Sequence, residues 1–281
     1  MSSAVVTYSK MIKLSHSIFA MPFALAAAWL ASRQVEVTLL QIVWIVLCMI
    51  TARSSAMGFN RIVDRDIDAA NPRTASREIP SGQISVGAAW GFTLGSAALF
   101  VLFSGLLGTT TLWLSPVAIG VVWGYSLMKR FTAFCHLWLG MSLALAPTAV
   151  WIALTDGYGA VPALLSLAVA TWVAGFDILY ATQDQAFDAE NGLHSIPAAL
   201  GIRGALGVSA VLHVVTMGAL AALPAAIALG PAYWVGFVVI GAVLAYEHAI
   251  VKPDDLSRID KAFFDLNGYV SLAFLVFVLL A

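Results

Sequence analysis

The sequence predicts an all-α protein, a polytopic membrane bundle of about nine transmembrane helices with its N-terminus in the cytoplasm. Three observations support this fold class. Of the 281 residues, 61% are hydrophobic and only 10% are charged, whereas an ordinary soluble domain carries about 25% charged residues. Apolar runs near the length that crosses a bilayer, about 20 residues, recur along the chain. Lysine and arginine concentrate in alternate loops between those runs.

The apolar runs define nine candidate spans in order along the chain. They cover residues 18–31, 37–56, 84–106, 109–127, 134–154, 161–180, 205–227, 233–249 and 263–281. Nine crossings of about 20 residues use roughly 180 residues, which leaves short loops and predicts a single membrane domain over residues 1–281. The first run resembles a signal peptide because Lys10 and Lys13 precede it. Since eight more spans follow, we expect it to be retained.

The distribution of positive charge predicts the orientation of the bundle. The N-terminal tail and the loops after the second, fourth, sixth and eighth spans hold twelve of the fourteen Lys and Arg residues. Under the positive-inside rule these segments lie in the cytoplasm, and an odd number of spans then places the C-terminus outside. The formal net charge of −1 argues against a nucleic-acid partner. The two cysteines lie in or beside apolar runs, which excludes a disulfide framework.

An acidic motif with helical spacing follows the second span. Asn60, Asp64 and Asp68 recur every four residues, so they line one face if the second helix continues beyond the membrane. Arg73 and Arg77 come next along the chain. Arginine suits bidentate contacts with phosphate, so these two residues are candidate phosphate ligands.

A second acidic motif follows the sixth span on the same predicted side of the membrane. Asp177, Tyr180, Asp184 and Asp188 are separated by three, four and four residues, again a helical spacing. A single pair of acids four residues apart is usually a solvated helix end. Two such pairs on one side of the membrane instead favour a shared functional site.

Carboxylates and cations in this combination indicate a diphosphate site. Carboxylates held together repel one another and need cations, and Mg²⁺ typically bridges carboxylates to the phosphates of a substrate. Lys129 and Arg130, in the loop between the motifs, supply further candidate phosphate contacts. The expected Mg²⁺ ligands are Asp64, Asp68, Asp184 and Asp188.

Three ionisable residues lie within or at the edge of the spans. Asp177 falls in the last turns of the sixth span, and an intramembrane acid is a functional candidate by default. Arg53 lies in the second span, seven residues before Asn60. It either binds the carboxylate of an acidic substrate or pairs internally for structural reasons. His16 begins the first span and is either an interfacial residue or a contact for a substrate hydroxyl.

The motifs resemble those of the UbiA superfamily of intramembrane aromatic prenyltransferases, and the resemblance covers nearly the whole chain. The family pattern N-x-x-x-D-x-x-x-D, with the tail R-T-x-x-R-x-[LI]-P-x-G, is matched at residues 60–82. The pattern D-x-x-Y-A-x-x-D-x-x-x-D is matched at residues 177–188, and Y-x-x-x-K-R at residues 125–130. Arg61 departs from many relatives, which have Asp directly after the motif Asn.

The resemblance implies the reaction and the residues that carry it. It implies nine helices around a central cavity, a polyprenyl diphosphate donor whose chain lies in membrane lipid, and an aromatic acceptor. Asp177 and Tyr180 are the candidate catalytic residues. The candidate substrate-binding residues are Asn60, Arg73, Arg77, Lys129, Arg130, Arg53 and His16. No obligate protein partner is implied.

Local resemblance indicates the class of acceptor. Residues 13–25, 188–201 and 261–274 look like quinone-synthesis enzymes labelled 4-hydroxybenzoate polyprenyltransferase. Some of those are similar to the futalosine-route menaquinone enzyme, which acts on 1,4-dihydroxy-6-naphthoate. We therefore expect Mg²⁺-dependent prenylation of one of these aromatic acids in ubiquinone or menaquinone biosynthesis. We expect it in a bacterial inner membrane, with the site open to the cytoplasm.

Two alternatives remain open at this stage. One is a prenyltransferase of the same superfamily with another acceptor. The other is a proton- or cation-coupled transporter, since intramembrane acids can carry such ions. Transporters more often place their binding groups at the midplane, whereas these acids cluster at helix ends among Lys and Arg. The D-G-x-x-A-R signature of CDP-alcohol lipid enzymes does not occur.

Overall fold

The computed structural model describes residues 3–12 and 19–281, and within them every regular element is helical. A π-helical segment, Lys261–Leu266, precedes the last helix, and two short 3-10 segments, Thr182–Asp184 and Leu223–Ala225, follow the eighth and tenth helices. The α-helices are α1 (Ser3–Met11), α2 (Met21–Ala31), α3 (Leu39–Val63), α4 (Arg65–Ala70), α5 (Val86–Leu107), α6 (Thr109–Met128), α7 (Cys135–Thr155), α8 (Ala160–Ala181), α9 (Gln185–Glu190), α10 (Ile196–Ala222), α11 (Pro231–Ile250) and α12 (Asn267–Leu279).

Long apolar helices dominate the fold. Within the described residues, eight helices are long and apolar enough to cross a membrane, and α2 is a ninth, shorter apolar helix. Each of the nine apolar runs in the sequence corresponds to one of these helices. The prediction of an all-α membrane bundle is confirmed, while the cytoplasmic N-terminus and the central cavity stay predictions.

The seventh span begins earlier than the sequence predicts. Hydropathy placed its start at residue 205, whereas α10 begins at Ile196. Ser195 caps the helix, and its Oγ accepts a hydrogen bond from the Ala198 backbone N–H at 3.2 Å. Gly201 adopts a φ of +68° and kinks the helix after its first turn, a conformation that glycine reaches without steric cost. Arg203 interrupts the apolar run in the first part of this helix, so hydropathy placed the start of the span after it.

The chain divides into two compact units, the first of which contains the described part of Met1–Ser17 together with Thr38–Leu127. Within this unit α3 packs along α5. Gly58 allows the close approach, because a Cβ atom at this position would overlap the Thr93 hydroxyl. Packing against α5 therefore fixes the position and orientation of the C-terminal end of α3, where the first acidic motif begins.

Helix α3 continues past the apolar run that ends at residue 56 and reaches Val63. Near its end Phe59 stacks on Trp123 of α6, with 4.6 Å between the ring centroids. Helix α3 therefore continues beyond the end of the apolar run, which is the condition under which the acidic residues share one helix face. It places Asn60 on the last helical turn, directly before Asp64 at the C-cap.

The second unit contains the described part of Ile18–Val37 together with Met128–Ala281. Within it α8 packs against both α7 and α10 and is the most buried of the long helices. Gly140 of α7 permits contact with α8, because a Cβ atom there would overlap the Ala170 carbonyl. Apolar side chains such as Val214, which is 71% exposed, face outward, as expected where lipid replaces water as the solvent.

Candidate active site

The first acidic motif lies at the C-terminal end of α3 in the first unit. Asp64 is the C-cap residue, and its backbone N–H donates to the Asn60 carbonyl at 2.9 Å. The Asn60 side chain closes the same turn, since its Nδ2 donates to Asp64 Oδ2 at 2.7 Å. Asn60 and Asp64, two of the three residues that the sequence placed on one helix face, are therefore in contact, and an amide orients the Asp64 carboxylate. The third, Asp68, lies beyond the end of α3, on the separate helix α4.

Asp68 lies on α4, where its side chain is only 6% exposed. Arg77 Nη1 donates to both of its carboxylate oxygens, at 2.7 and 2.8 Å. Thr74 Oγ1 donates to the Asp68 carbonyl at 3.0 Å and holds the intervening loop against α4. Because an unpaired carboxylate is costly to bury, the Arg77 guanidinium is what makes this burial tolerable.

The other basic residues of the first motif differ in their exposure. Arg61 is 3% exposed, and its Nη1 lies 3.5 Å from Asn60 Oδ1. Arg73 is exposed, and its backbone N–H donates to Asn71 Oδ1 at 2.9 Å. Arg53 is half-buried on α3, about two turns before Asn60. The first motif therefore contains a buried cation, Arg61, beside its acids.

The second acidic motif extends from the end of α8 through Thr182–Asp184 into α9. Asp188 is fully buried, and Lys129 Nζ lies 2.7 Å from its Oδ1. Neither Asp188 oxygen accepts a well-aligned hydrogen bond from any residue that the structure describes. Asp184 is also buried, at the junction with α9. The motif thus holds a buried carboxylate with unused lone pairs, a feature that calls for a functional explanation such as an ion.

Each motif therefore pairs its last acid with one cation. In the first unit Arg77 pairs with Asp68, and in the second unit Lys129 pairs with Asp188. The sequence predicted both cations as phosphate contacts, and the structure shows them bound to carboxylates. Contact with phosphate stays a prediction, as it does for Arg130, which is half-buried beside Lys129.

Three contacts tie the segment that follows the second motif to residues 129–136. The His194 backbone N–H donates to the Lys129 carbonyl at 2.8 Å, and Cys135 Sγ donates to the His194 carbonyl at 3.5 Å. The Ile196 backbone N–H donates to His136 Nε2 at 3.3 Å. These contacts hold Lys129 where its ammonium group reaches the second motif.

Asp177 lies in the last turns of α8, as predicted, and has a partner that local spacing did not reveal. His136 Nδ1 lies 2.7 Å from Asp177 Oδ2. The His136 side chain is 4% exposed and the Asp177 side chain 16% exposed. The two residues are 41 positions apart in the sequence. The available signal was indirect, because an acid within a span needs a polar or cationic partner.

An aromatic cluster surrounds Tyr180. The Tyr180 ring stacks on Phe263 with 4.1 Å between centroids, and Phe176 meets Phe263 edge-on at 5.3 Å. Phe263 belongs to the π-helical segment Lys261–Leu266, an irregularity that often occurs at functional sites. Hydropathy predicted only an apolar span in this region, so it missed both the π-helix and the aromatic contact.

The candidate donor set fits Mg²⁺, which prefers oxygen ligands and often shares its coordination sphere with substrate phosphates. Each motif supplies two carboxylates. The two carboxylate oxygens of Asp188 have unused lone pairs although they are buried. Over residues 3–12 and 19–281, no three His, Cys, Asp or Glu side chains gather around one point as a metal site. Joint binding of metal by both motifs stays a prediction. His16 lies outside the described residues, so its predicted substrate contact also stays a prediction.

Comparison with known proteins gives matches over most of the chain. The model of the UbiA prenyltransferase family matches residues 20–276. A 4-hydroxybenzoate octaprenyltransferase of Vibrio atlanticus (strain LGP32) is 29% identical over 228 residues, which are 81% of this chain and 80% of that protein. A protein of the same name from Pseudoalteromonas translucida (strain TAC 125) is 28% identical over 255 residues, 89% of this chain and 85% of that one.

Solved structures share the fold. The apo structure of a UbiA homolog from Aeropyrum pernix K1 matches with a TM-score of 0.86 and 32% identity, over 94% of this chain and 97% of that one. A UbiA homolog from Archaeoglobus fulgidus bound to GPP and Mg²⁺ matches with a TM-score of 0.77 and 19% identity, over 98% of both chains. The second likeness concerns the fold alone.

Proposed function

Because this chain belongs to the UbiA prenyltransferase family, we propose that it transfers a polyprenyl group from a polyprenyl diphosphate to the ring of an aromatic acid. The proposed acceptor is 4-hydroxybenzoate or 1,4-dihydroxy-6-naphthoate, and the proposed role is ubiquinone or menaquinone biosynthesis. The observation that carries the proposal is the buried Asp188 carboxylate, whose oxygens accept no well-aligned hydrogen bond from the described residues and whose charge is balanced by Lys129.

The cation–carboxylate pairs support diphosphate binding. In the proposed complex Asp64, Asp68, Asp184 and Asp188 hold Mg²⁺. Arg77 and Lys129 then exchange a carboxylate partner for a phosphate partner. Both cations make charge-assisted contacts of the kind that phosphate also accepts. When bound, Mg²⁺ neutralises the charge that develops on the diphosphate leaving group.

The transfer breaks the bond between the allylic carbon and the diphosphate oxygen and forms a carbon–carbon bond to the aromatic ring, which then loses a proton. The stacked rings of Tyr180 and Phe263 are suited to stabilise the allylic cation, since a desolvated cation–π contact contributes about 2 kcal/mol. Asp177 is proposed to orient the acceptor or to assist its deprotonation. Arg53 and His16 are proposed contacts for the acceptor carboxylate and hydroxyl.

The proposed setting is a bacterial inner membrane, with the site open to the cytoplasm. The many apolar helices and the family establish an integral membrane protein, and the curated relatives named above come from bacteria. The positive-inside pattern supports the cytoplasmic placement of both motifs. The donor chain is proposed to enter from lipid, which explains why the enzyme is a membrane bundle.

The test is a product assay on purified protein in detergent. Polyprenyl diphosphate and Mg²⁺ are incubated with either acceptor, and products are identified by mass spectrometry. We expect an adduct heavier than the acceptor by one polyprenyl group less one hydrogen atom. Asp68→Asn should abolish the product, whereas Asp66→Asn, an exposed neighbour in the same motif, should leave it unchanged.

The outcomes separate the parts of the proposal. Product with one acceptor identifies that acceptor. Diphosphate binding without product from either acid would contradict the proposed acceptor class, while the assignment to the superfamily would stand. Absence of diphosphate binding would contradict the proposed reaction and favour the transporter.

A further inference from the structure

We propose that His136 is a positioning residue for Asp177. In this proposal His136 Nδ1–H donates to Asp177 Oδ2, so that Oδ1 remains to accept a hydrogen bond from the hydroxyl of the aromatic acceptor. The inference rests on the proposed function and extends it to a residue that lies outside every sequence motif. It is carried by the contacts of both ring nitrogens of His136.

The contacts of His136 favour the tautomer that carries its proton on Nδ1. The Ile196 backbone N–H donates to Nε2 at 3.3 Å, so Nε2 carries a lone pair and no proton. In a neutral imidazole the other nitrogen then carries the hydrogen. Nδ1, 2.7 Å from Asp177 Oδ2, is therefore the donor to an ionised carboxylate. Ile196 is the first residue of α10, where backbone N–H groups have no carbonyl acceptor within the helix. The imidazole supplies the acceptor that this N–H lacks.

The surroundings of His136 keep this arrangement rigid. The residue lies in the first turn of α7 and its side chain is almost fully buried. Its neighbour Cys135 donates to the His194 carbonyl at 3.5 Å, which ties the same turn to the segment before α10. The imidazole therefore connects three helices of the second unit, with Asp177 of α8 at one end and the start of α10 at the other.

The unpaired oxygen of Asp177 gives the arrangement a chemical use. Among the described residues, Oδ1 makes no hydrogen bond or ion pair, and the Asp177 side chain is 16% exposed. Tyr180 lies three residues further on and so neighbours Asp177 on the surface of α8. A hydroxyl that donates to Oδ1 would sit near the aromatic cluster proposed to hold the allylic cation. When the acceptor hydroxyl donates a hydrogen bond to the Asp177 carboxylate, the electron density of the acceptor ring also rises, and this ring is the group that attacks the allylic cation.

Two conservative substitutions separate the contacts of His136. An asparagine amide reaches the position of Nδ1, so His136→Asn can still donate to Asp177 but does not reach the Ile196 N–H. A glutamine carbonyl reaches the position of Nε2, so His136→Gln can still accept from Ile196 but does not donate to Asp177. His136→Ala removes both contacts. The readouts are kcat, the KM values for acceptor and donor, and the unfolding midpoint in detergent.

We expect His136→Asn to retain most of the activity. His136→Gln and His136→Ala should lose about 10- to 100-fold in kcat/KM for the acceptor, the range expected when a hydrogen bond to a charged group is lost. The KM for the diphosphate should stay within about twofold, because the carboxylates proposed to bind it are not contacted by His136. A purely structural role would instead lower the unfolding midpoint and preserve activity in His136→Gln.

Activity in His136→Gln with loss in His136→Asn would overturn the inference, because the contact that matters would then be the one with the Ile196 N–H and not the one with Asp177. Equal activity in all three variants would also overturn it. Both results presuppose an active wild-type protein, and they would leave the proposed function intact. A wild-type protein that prenylates neither acceptor would overturn the proposed function and this inference with it.

Discussion

Removal of the Lys129 side chain should destabilise the folded protein by leaving Asp188 buried without its cation. Breaking a fully buried ion pair costs about 3–5 kcal/mol, whereas an exposed pair contributes about 0–1 kcal/mol. The Asp188 side chain is 0% exposed and the Lys129 side chain is 36% exposed. The Lys129→Ala cost should therefore lie between these limits, at about 2–3 kcal/mol of unfolding free energy.

A second substitution should reverse most of this loss. Asp188→Asn keeps the size of the side chain but removes its charge, so in the Lys129→Ala background it should restore more than half of the lost free energy. Arg65→Ala serves as the control, since Arg65 pairs with Asp66 at 3.3 Å on an exposed surface. That control should change the unfolding free energy by less than about 1 kcal/mol.

The assay is an SDS titration in mixed micelles, followed by the fluorescence of the nine tryptophans. Five proteins, the wild type, Lys129→Ala, Asp188→Asn, the double variant and Arg65→Ala, are compared at one pH and one salt concentration, without added metal. A Lys129→Ala effect no larger than that of the Arg65 control would refute the argument. So would additive effects of the Lys129 and Asp188 substitutions, because independent residues do not share a buried charge.

The remaining predictions concern catalysis and packing. Asp64→Ala and Asp184→Ala should each abolish Mg²⁺-dependent turnover without unfolding the protein, as measured by product formation and gel filtration, and retained activity in both would contradict the metal assignment. Lys129→Ala should raise the KM for the diphosphate about tenfold and that for the acceptor less, since one charge-assisted contact is lost; the opposite order would place Lys129 at the acceptor. Gly140→Ala should lower the unfolding free energy by about 1–3 kcal/mol, because the added methyl group overlaps the Ala170 carbonyl, and an unchanged SDS midpoint would show that α7 can shift at no cost.

The sequence predicted the helices well where the bilayer dictates them. Each span must present about 20 apolar residues, so composition alone located the nine apolar helices and most of their ends. The prediction was wrong at residues 196–204, where a capped turn and Gly201 precede the continuous helix. It also overlooked the π-helical turn at Lys261–Leu266, because hydropathy does not distinguish one helical hydrogen-bond pattern from another.

The candidate site was predictable to the extent that it is local in sequence. The contact between Asn60 and Asp64 follows from their spacing of four residues on one helix. The approach of Lys129 to Asp188 depends on the fold, since 59 positions separate the two residues. His136 gave no local signal at all, because its partner is on another helix. Tertiary packing decides which charges meet, and periodicity along one helix carries no information about it.

The most direct test of the proposed transfer is the stoichiometry of the reaction. Inorganic diphosphate and prenylated aromatic acid are quantified together, with purified protein, polyprenyl diphosphate, Mg²⁺ and the better acceptor. Transfer predicts that the two products appear in equal amounts and that both require the acceptor and the metal. Diphosphate released at the same rate without an acceptor would indicate hydrolysis and contradict transfer to the ring. Absence of both products would contradict the proposed reaction itself.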